Sequence, residues 1–324
     1  MTDELQAYQI EIETYESVIP ELEKIWKNVG ENVNLGPRCY KIYRHPTDII
    51  VLEDLKHAGF QVADRHSVLK MDEIDLVLQW LAKFHAASVV YVQKNGPLSK
   101  TFNKGMFSKE HIGKSWGTHY NQLYKTFRMF KWDEKITAKL DKFGDSIYEK
   151  CCEAMEVDEK DLNVLNHGDI WILNILFAER DSKKDINVID FQFASWGSPV
   201  QDLWFLISTS MNIDDRIQNL KKIVNDYHKY LVQNLKKLNY SGHIPTEEEF
   251  YSNFIKRGII ALGITIESFA AICIDKGLQI DFETVKREDP EAIEIRKKIF
   301  MNDRFMKTAE KYLKFLDELG IFDN

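Results

Sequence analysis

The sequence predicts an α+β fold in which a small, partly stranded N-terminal part precedes a large helical part. Three observations predict this class. Two short extended segments follow the first helical segment, helical periodicity dominates the chain from residue 72, and short strand-like segments joined by polar loops interrupt it between residues 162 and 191. Helices and strands segregated along one chain are typical of α+β proteins. An active cleft is expected where the two parts meet.

The N-terminal part begins with a predicted helix over residues 4–28. Ile10, Tyr15 and Leu22 recur at roughly helical intervals. Pro20 must bend or divide this helix, because proline has no backbone N–H and its ring clashes with the preceding turn.

Two short strands are predicted next, over residues 38–44 and 48–52. The second strand is β-branched and apolar, which is typical of a buried strand, and Glu53, Asp54 and Leu55 end it. We therefore expect a small strand pair ahead of the helical part.

The helical part opens with a predicted helix over residues 72–88, with Leu78 and His85 on its apolar side and Asp72 as a candidate N-cap. Strands are predicted over residues 162–166, 174–178 and 186–191, and further helices over residues 217–238, 247–274 and 290–319. This order places a β-hairpin at the centre of a helical part.

Charge and hydropathy exclude several classes of protein. A formal net charge of −8 argues against a protein that coats nucleic acid or an anionic membrane. The longest apolar stretch, residues 258–274, holds Glu267 near its centre and is expected to form a buried helix, not a membrane span. The first ten residues lack the basic start of a signal peptide, and the four cysteines form no C-x-x-C pair. We expect a cytoplasmic protein with reduced thiols.

The central strands carry a pattern of polar residues suited to phosphoryl transfer. Residues 164–177 read V-L-N-H-G-D-I-W-I-L-N-I-L-F, which places Asp169 on a loop and Asn174 five residues later. Transfer to a hydroxyl needs a carboxylate that takes the acceptor's proton and an amide oxygen that helps hold the metal. Asp190 ends the next strand in V-I-D-F, where it can ligate magnesium. The pattern predicts a site for ATP and Mg²⁺.

Each of these residues also has a plainer interpretation. Asp-x-x-x-x-Asn alone is common, and an Asp at a strand end is usually a turn former. The His-Gly ahead of Asp169 and the position of Asp190 favour the functional interpretation. His167 can brace the loop by hydrogen bonds or act in the chemistry. Asp202 can support the loop or serve as a charge at a helix N-terminus.

Four sequence blocks carry a family resemblance. They are I-V-L-E-D-L at residues 50–55, L-A-K-F-H-A-A-S at residues 81–88, N-H-G-D-I-W-I-L-N-I-L-F at residues 166–177 and I-D-F-Q at residues 189–192. Their order and content resemble the choline-kinase-like and aminoglycoside-phosphotransferase group, and most closely the ecdysteroid kinase-like (CHK kinase-like) proteins that are abundant in insects. The resemblance covers most of the chain from about residue 10.

The resemblance implies a protein-kinase-like bilobal fold, with a remnant of the N-terminal lobe over residues 1–55 and a helical C-terminal lobe over residues 56–324. It implies ATP- and magnesium-dependent phosphorylation of a hydroxyl on a small molecule, ecdysteroid-like or otherwise hydroxylated. By resemblance Asp169 is the catalytic base, beside His167. The implied metal ligands are Asn174 and Asp190.

The resemblance also assigns the hinge between the lobes. The backbone of Glu53, Asp54 and Leu55 is expected to meet adenine, although a buried strand that ends in solvated acids has the same pattern. His85, on the apolar face of its helix, is expected to be structural rather than a ligand.

The sequence departs from the family pattern at its N-terminal end. Kinase-like enzymes place a glycine-rich loop and a strand lysine ahead of the helix whose glutamate pairs with that lysine. Glu11 is the expected lysine partner, but no lysine precedes it and the first glycine is Gly30. We therefore expect a truncated N-terminal lobe that binds ATP poorly, in either a truncated gene product or a degraded family member.

Three other functions compete with a small-molecule kinase. A pseudokinase or small-molecule-binding protein would explain the absent lysine and glycines. A magnesium-dependent phosphohydrolase would not explain the hinge-like strand, and a protein kinase would carry A-P-E and H-R-D-L motifs that this sequence lacks. The sequence indicates neither the acceptor nor the oligomeric state.

Aromatic residues after the first long helix leave one further choice open. The stretch over residues 106–116 and the aromatic side chains Tyr120, Tyr124, Phe127 and Trp132 fit either an apolar acceptor pocket or ordinary core.

Overall fold

The computed structural model describes residues 5–180, 183–274 and 281–323. Its N-terminal segment is helical: α1 (Ala7–Glu13) continues through a π-helical turn (Thr14–Val18) into α2 (Ile19–Lys27). Pro20 lies in the first turn of α2, directly after the π-helical turn, so the irregular turn occurs where proline removes a backbone donor. The predicted helix is confirmed, and its irregular turn precedes the proline.

A strand pair follows this helical segment. β1 (Cys39–Tyr43) and β2 (Ile49–Leu52) are antiparallel, with Tyr43 opposite Ile49. The expectation that β2 is buried is wrong, because Ile49 is 50% exposed and Val51 is 38% exposed. The sheet has only these two strands among the described residues, so little covers its faces.

Helices form most of the remaining chain. They are α3 (Met71–Asn95), α4 (Ser115–Arg128), α5 (Glu134–Lys142), α6 (Ile147–Ala154), α7 (Val200–Ser210), α8 (Ile213–Lys237), α9 (Glu247–Lys256), α10 (Ile259–Ile264), α11 (Ala270–Cys273), α12 (Phe282–Lys286), α13 (Pro290–Phe300) and α14 (Asp303–Glu318). The α3 helix packs along α8, and α7 is buried over its whole length. The large helical part expected from the sequence is confirmed.

The start of α3 differs from the expectation. The Glu73 carboxylate accepts a hydrogen bond from the Lys70 backbone N–H at 2.9 Å, so the helix begins at Met71. Asp72 therefore lies inside the first turn, and the prediction that it is the N-cap is wrong.

Short strands lie between α6 and α7, as expected. They are β4 (Val164–Asn166), β5 (Ile175–Arg180), β6 (Lys183–Val188) and β7 (Ser195–Gly197), and an earlier strand, β3 (Gln61–Val62), joins them. β5 and β6 form the predicted hairpin, with β3 on the other side of β5, while β4 pairs with β7. The hairpin and the β4–β7 pair bring the loops after β4 and β6 together.

One apolar core joins the N-terminal helices to the helical part. Leu22 and Trp26 of α2 are fully buried, and the Trp26 indole N–H donates to the Lys83 carbonyl of α3 at 3.3 Å. The apolar stretch over residues 258–274 is buried as expected, divided into α10, a π-helical turn (Thr265–Phe269) and α11. Within the described ranges, no helix is long and apolar enough to cross a membrane.

Candidate active site

The loop after β4 carries Asp169 and makes a tight turn at Gly168. Gly168 has a φ of +83°, in the left-handed region, and a Cβ at this position would overlap the Phe193 carbonyl oxygen. Glycine is therefore the residue that lets the loop approach the chain after β6.

Asp202, in the first turn of α7, accepts hydrogen bonds from the backbone of this loop. Its two carboxylate oxygens accept the backbone N–H groups of His167 at 2.7 Å and Gly168 at 2.8 Å. His85 Nε2 lies 3.0 Å from the same carboxylate, and its Nδ1 lies 2.6 Å from the Tyr227 hydroxyl. Because all of these groups are buried, the network fixes the loop through α3, α7 and α8.

Asp202→Asn should destabilise the protein by about 2–4 kcal/mol, because an amide NH₂ would face one of the two backbone donors and leave a buried group unsatisfied. Urea unfolding measures this change. The matched control is Asp214→Asn in the first turn of α8, where the side chain is 67% exposed. Equal small losses in both variants would mean that Asp202 is only a helix N-terminal charge.

His167 is buried, and both of its ring nitrogens make hydrogen bonds. Nδ1 accepts the Asp169 backbone N–H at 3.2 Å, and Nε2 lies 3.0 Å from the Ile189 carbonyl oxygen, which only a donor can satisfy. Burial lowers the His167 pKa to about 4, so the ring is neutral with its proton on Nε2. We infer that His167 ties the Asp169 loop to the loop after β6.

Asp169 and Asn174 are in direct contact. A 3₁₀ turn (Ile172–Asn174) brings the Asn174 amide nitrogen to 2.9 Å from the Asp169 carbonyl oxygen and 3.1 Å from its Oδ2. Burial raises the Asp169 pKa well above its ordinary value, and the charges of Asp190 and Glu267 raise it further. This carboxylate is thus poised to accept a proton.

Asp190 follows β6 and adopts a left-handed backbone conformation with a φ of 69°. This conformation is uncommon outside glycine, although Asp and Asn tolerate it. Its Oδ2 accepts a hydrogen bond from Gln192 Nε2 at 3.2 Å, and burial raises its pKa. The Ile189 backbone N–H donates to the Asn174 carbonyl at 3.0 Å, so the structure brings Asp190 and Asn174 onto adjoining loops.

Glu11 of α1 faces Asp190. The Glu11 pKa is raised to about 7, mainly by burial of the carboxyl and to a smaller extent by the charge of Asp190. In the part of the chain that the structure describes, no lysine or arginine pairs with Glu11. The structure therefore places this residue at the site but gives it an acidic neighbour, not the expected lysine.

Glu11→Gln should flatten the pH dependence of stability. Because the folded-state pKa is about 7 and the ordinary value is 4.5, the folded protein binds this proton more tightly, and stability falls as the pH rises between these values. The loss of unfolding free energy between pH 5 and pH 8 should be about 2 kcal/mol smaller in the variant. Urea unfolding at both pH values tests this, with the exposed Glu16→Gln as control. Parallel pH profiles for wild type and Glu11→Gln would contradict it.

The expected hinge lies where β2 meets the helical part. The Glu53 backbone N–H donates to the Arg38 carbonyl at 2.8 Å, and the Asp54 carboxylate accepts the Lys56 backbone N–H at 3.0 Å. Leu55 is buried. A cavity of about 480 Å³ adjoins Glu53 and Arg38. The Glu53 backbone and the Asp54 side chain therefore stabilise the turn, and a role in binding adenine stays a prediction.

A second cavity, of about 460 Å³, opens beside Asp169. Its lining is mainly apolar and aromatic, including Met106, Trp116 and Phe193. The remaining aromatic residues considered from the sequence, Tyr120, Tyr124, Phe127 and Trp132, are buried in the core. These four residues thus fit the interpretation as ordinary core, whereas an acceptor pocket at Met106 and Trp116 stays a prediction.

A sequence profile of the ecdysteroid kinase-like family matches residues 1–240. The chain belongs to this family. The family assignment confirms the resemblance drawn from the central motifs, and it includes the segment that carries Glu11. A search of curated protein sequences gave no significant match.

Solved structures similar to this chain include three phosphotransferases. A choline kinase from Cryptosporidium parvum Iowa II is 11% identical, with 93% of this chain and 79% of that chain covered and a TM-score of 0.48. An aminoglycoside phosphotransferase from Alicyclobacillus acidocaldarius is 13% identical, with coverages of 94% and 81% and a TM-score of 0.43. A Plasmodium vivax ethanolamine kinase is 13% identical, with coverages of 91% and 73% and a TM-score of 0.39.

The site of this family member offers magnesium two oxygen ligands. Among the described residues, no group of three or more His, Cys, Asp or Glu side chains is arranged to hold a metal alone. The Asn174 amide nitrogen donates a hydrogen bond to Asp169, so the Asn174 amide oxygen points away from Asp169. The Asp190 Oδ2 atom accepts a hydrogen bond from Gln192. These residues fit an ion whose other ligands are phosphate oxygens and water.

Two residues that line the cavity beside Asp169 were not predicted from the sequence. Arg65 reaches the cavity from the segment after β3 and donates to the Ala271 carbonyl oxygen of α11. Glu267 lines the same cavity. The sequence could have indicated Glu267, because it is a charged residue inside an apolar stretch. No pattern in the neighbouring sequence distinguishes Arg65 from other arginines.

Proposed function

We propose that this protein transfers the γ-phosphoryl group of ATP to a hydroxyl of a small molecule. The observation that carries the proposal is the position of Asp169. Its partly buried carboxylate contacts Asn174, has its pKa raised by the charge of Asp190, and lines a cavity large enough for a small organic molecule. The proposed base, the two proposed metal ligands and the proposed acceptor cavity are thus neighbours.

In the proposed reaction, the acceptor hydroxyl lies against the Asp169 carboxylate. Asp169 takes the hydroxyl proton as the acceptor oxygen forms a bond to the γ-phosphorus, and the bond from that phosphorus to the β–γ bridging oxygen breaks to release ADP. The raised pKa of Asp169 makes its carboxylate a better proton acceptor than an exposed aspartate. Asp202 and His167 hold the loop so that the carboxylate does not turn away.

Asn174 and Asp190 are the proposed magnesium ligands. When bound, Mg²⁺ would offset the negative charge of the phosphates, which is the main electrostatic demand of phosphoryl transfer. A cation at this position would also offset the repulsion between Asp190 and Glu11. The hinge segment at Glu53 to Leu55 is the proposed adenine contact.

We propose a neutral, largely apolar acceptor, such as an ecdysteroid-like or similarly hydroxylated compound. The cavity beside Asp169 is lined mostly by apolar and aromatic side chains. Two carboxylates, Asp169 and Glu267, line this cavity, and Asp190 lies near enough for its charge to raise the Asp169 pKa, so an anionic acceptor would be repelled.

A pseudokinase or small-molecule-binding protein is the second candidate. The observation that favours it is Glu11, which has no basic partner in the described part of the chain and faces Asp190 instead. In a kinase-like site the corresponding ion pair helps to position the phosphates. A protein without it could keep the acceptor cavity and lose the transfer reaction.

Isothermal calorimetry of ATP binding, with and without Mg²⁺, separates the two candidates. The proposed function predicts magnesium-dependent binding of ATP to the purified chain, weakened by the absence of the glycine-rich loop and the strand lysine. Absence of any ATP binding, together with binding of an apolar hydroxylated compound, would favour the binding protein.

A further inference from the structure

Glu267 has no role in the proposed reaction, although it lies in the cavity with Asp169. It belongs to an otherwise apolar segment, and its side chain is only 18% exposed. A carboxylate is costly to place in such a setting unless it has partners. A carboxylate at this position therefore needs interactions that offset the cost of its burial.

The local backbone turns Glu267 towards the cavity. The π-helical turn that contains it carries an extra residue relative to an α-helical turn, which shifts the side chains that follow onto a different face. Such turns occur frequently at functional sites. Glu267 and Asp169 line the same cavity, so one bound molecule can contact both carboxylates.

The neighbours of Glu267 leave room for a ligand. The Ser268 hydroxyl donates to its Oε2 at 2.6 Å, while Oε1 lies 3.8 Å from His119 Nε2, too far for a direct hydrogen bond. Beside this pair, the Trp116 ring stacks on the His119 ring, with 5.9 Å between the ring centroids. The centroid of the Phe193 ring also lies 5.9 Å from that of Trp116. A flat apolar body can lie along these rings with a polar group at Oε1.

We propose that Glu267 is a specificity-determining residue that accepts a hydrogen bond from a second hydroxyl of the acceptor. This inference rests on the proposed function, in which the first hydroxyl meets Asp169. The acceptor class is then a neutral polycyclic compound with at least two separated hydroxyls. A compound without the second hydroxyl leaves Oε1 of this partly buried carboxylate without a hydrogen bond, which disfavours its binding.

Binding of a rigid polycyclic diol and of its monohydroxylated analogue tests the proposal. Quenching of tryptophan fluorescence reports on both, because Trp116 and Trp171 line the cavity. Wild type should bind the diol at least about 10-fold more tightly, and Glu267→Leu should lose this preference while keeping its affinity for the mono-ol. Because no nucleotide is present, failure of phosphoryl transfer would not affect this result.

Two further variants control for poor folding of Glu267→Leu and for the general effect of replacing a glutamate by leucine. Glu267→Gln keeps the shape and one acceptor oxygen, and should retain part of the preference even if Glu267→Leu folds poorly. Glu310→Leu on α14, an exposed position, should behave as wild type. The inference is overturned if wild type shows no preference for the diol, whether it binds both compounds equally or neither, or if both Glu267 variants keep the full preference.

Discussion

Asp169→Asn is expected to lower the rate of phosphoryl transfer by about 10²- to 10⁴-fold, the contribution typical of a general base. The amide keeps the shape of the side chain and can still accept the hydrogen bond from Asn174. It cannot take a proton from the acceptor. A steady-state assay of ADP release in the presence of acceptor measures the loss.

The same variant should not lose stability. Burial raises the pKa of Asp169, so the folded protein favours the protonated carboxyl and loses stability as the pH rises and this group ionises. Replacing it by a neutral amide should therefore leave the Tm at pH 7.5 unchanged or raise it. A large fall in Tm together with the loss of rate would instead indicate a structural role.

Asp190→Asn is expected to weaken magnesium-dependent ATP binding by at least about 10- to 100-fold, since even outer partners of a metal ligand have effects of this size. Asn suits the left-handed conformation at this position, whereas Ala would add a backbone penalty of about 1 kcal/mol. Calorimetry at several Mg²⁺ concentrations measures the change.

The matched control for this variant is Asp185→Asn on β6, which changes an exposed carboxylate in the same hairpin. It should bind magnesium-ATP as wild type does. If both variants bind equally well, Asp190 does not ligate the metal. If both lose affinity equally, the effect is one of overall charge.

The parts of the site that the sequence predicted are those encoded by short-range spacing. Asp169 and Asn174 are five residues apart on a loop between strands, so their contact follows from the local chain path. The β5–β6 hairpin then positions Asp190, and the pattern of short strands around polar loops marked that hairpin.

The parts that escaped prediction depend on contacts between distant segments. Tyr227 completes the His85–Asp202 network from α8, and no local pattern identifies it as a partner. The pairings of β3 with β5 and of β4 with β7 are likewise long-range. Exposure of Ile49 depends on what covers the strand pair, which hydropathy alone does not specify.

Direct detection of phosphorylated acceptor is the measurement that tests the central claim most directly. Purified chain is incubated with magnesium-ATP and a panel of neutral polycyclic alcohols, and products are identified by mass spectrometry. The account predicts a product heavier by one phosphoryl group, formed by wild type and by Asp185→Asn but not by Asp169→Asn. A product formed equally by wild type and Asp169→Asn, or no product despite bound magnesium-ATP and bound alcohol, would contradict it.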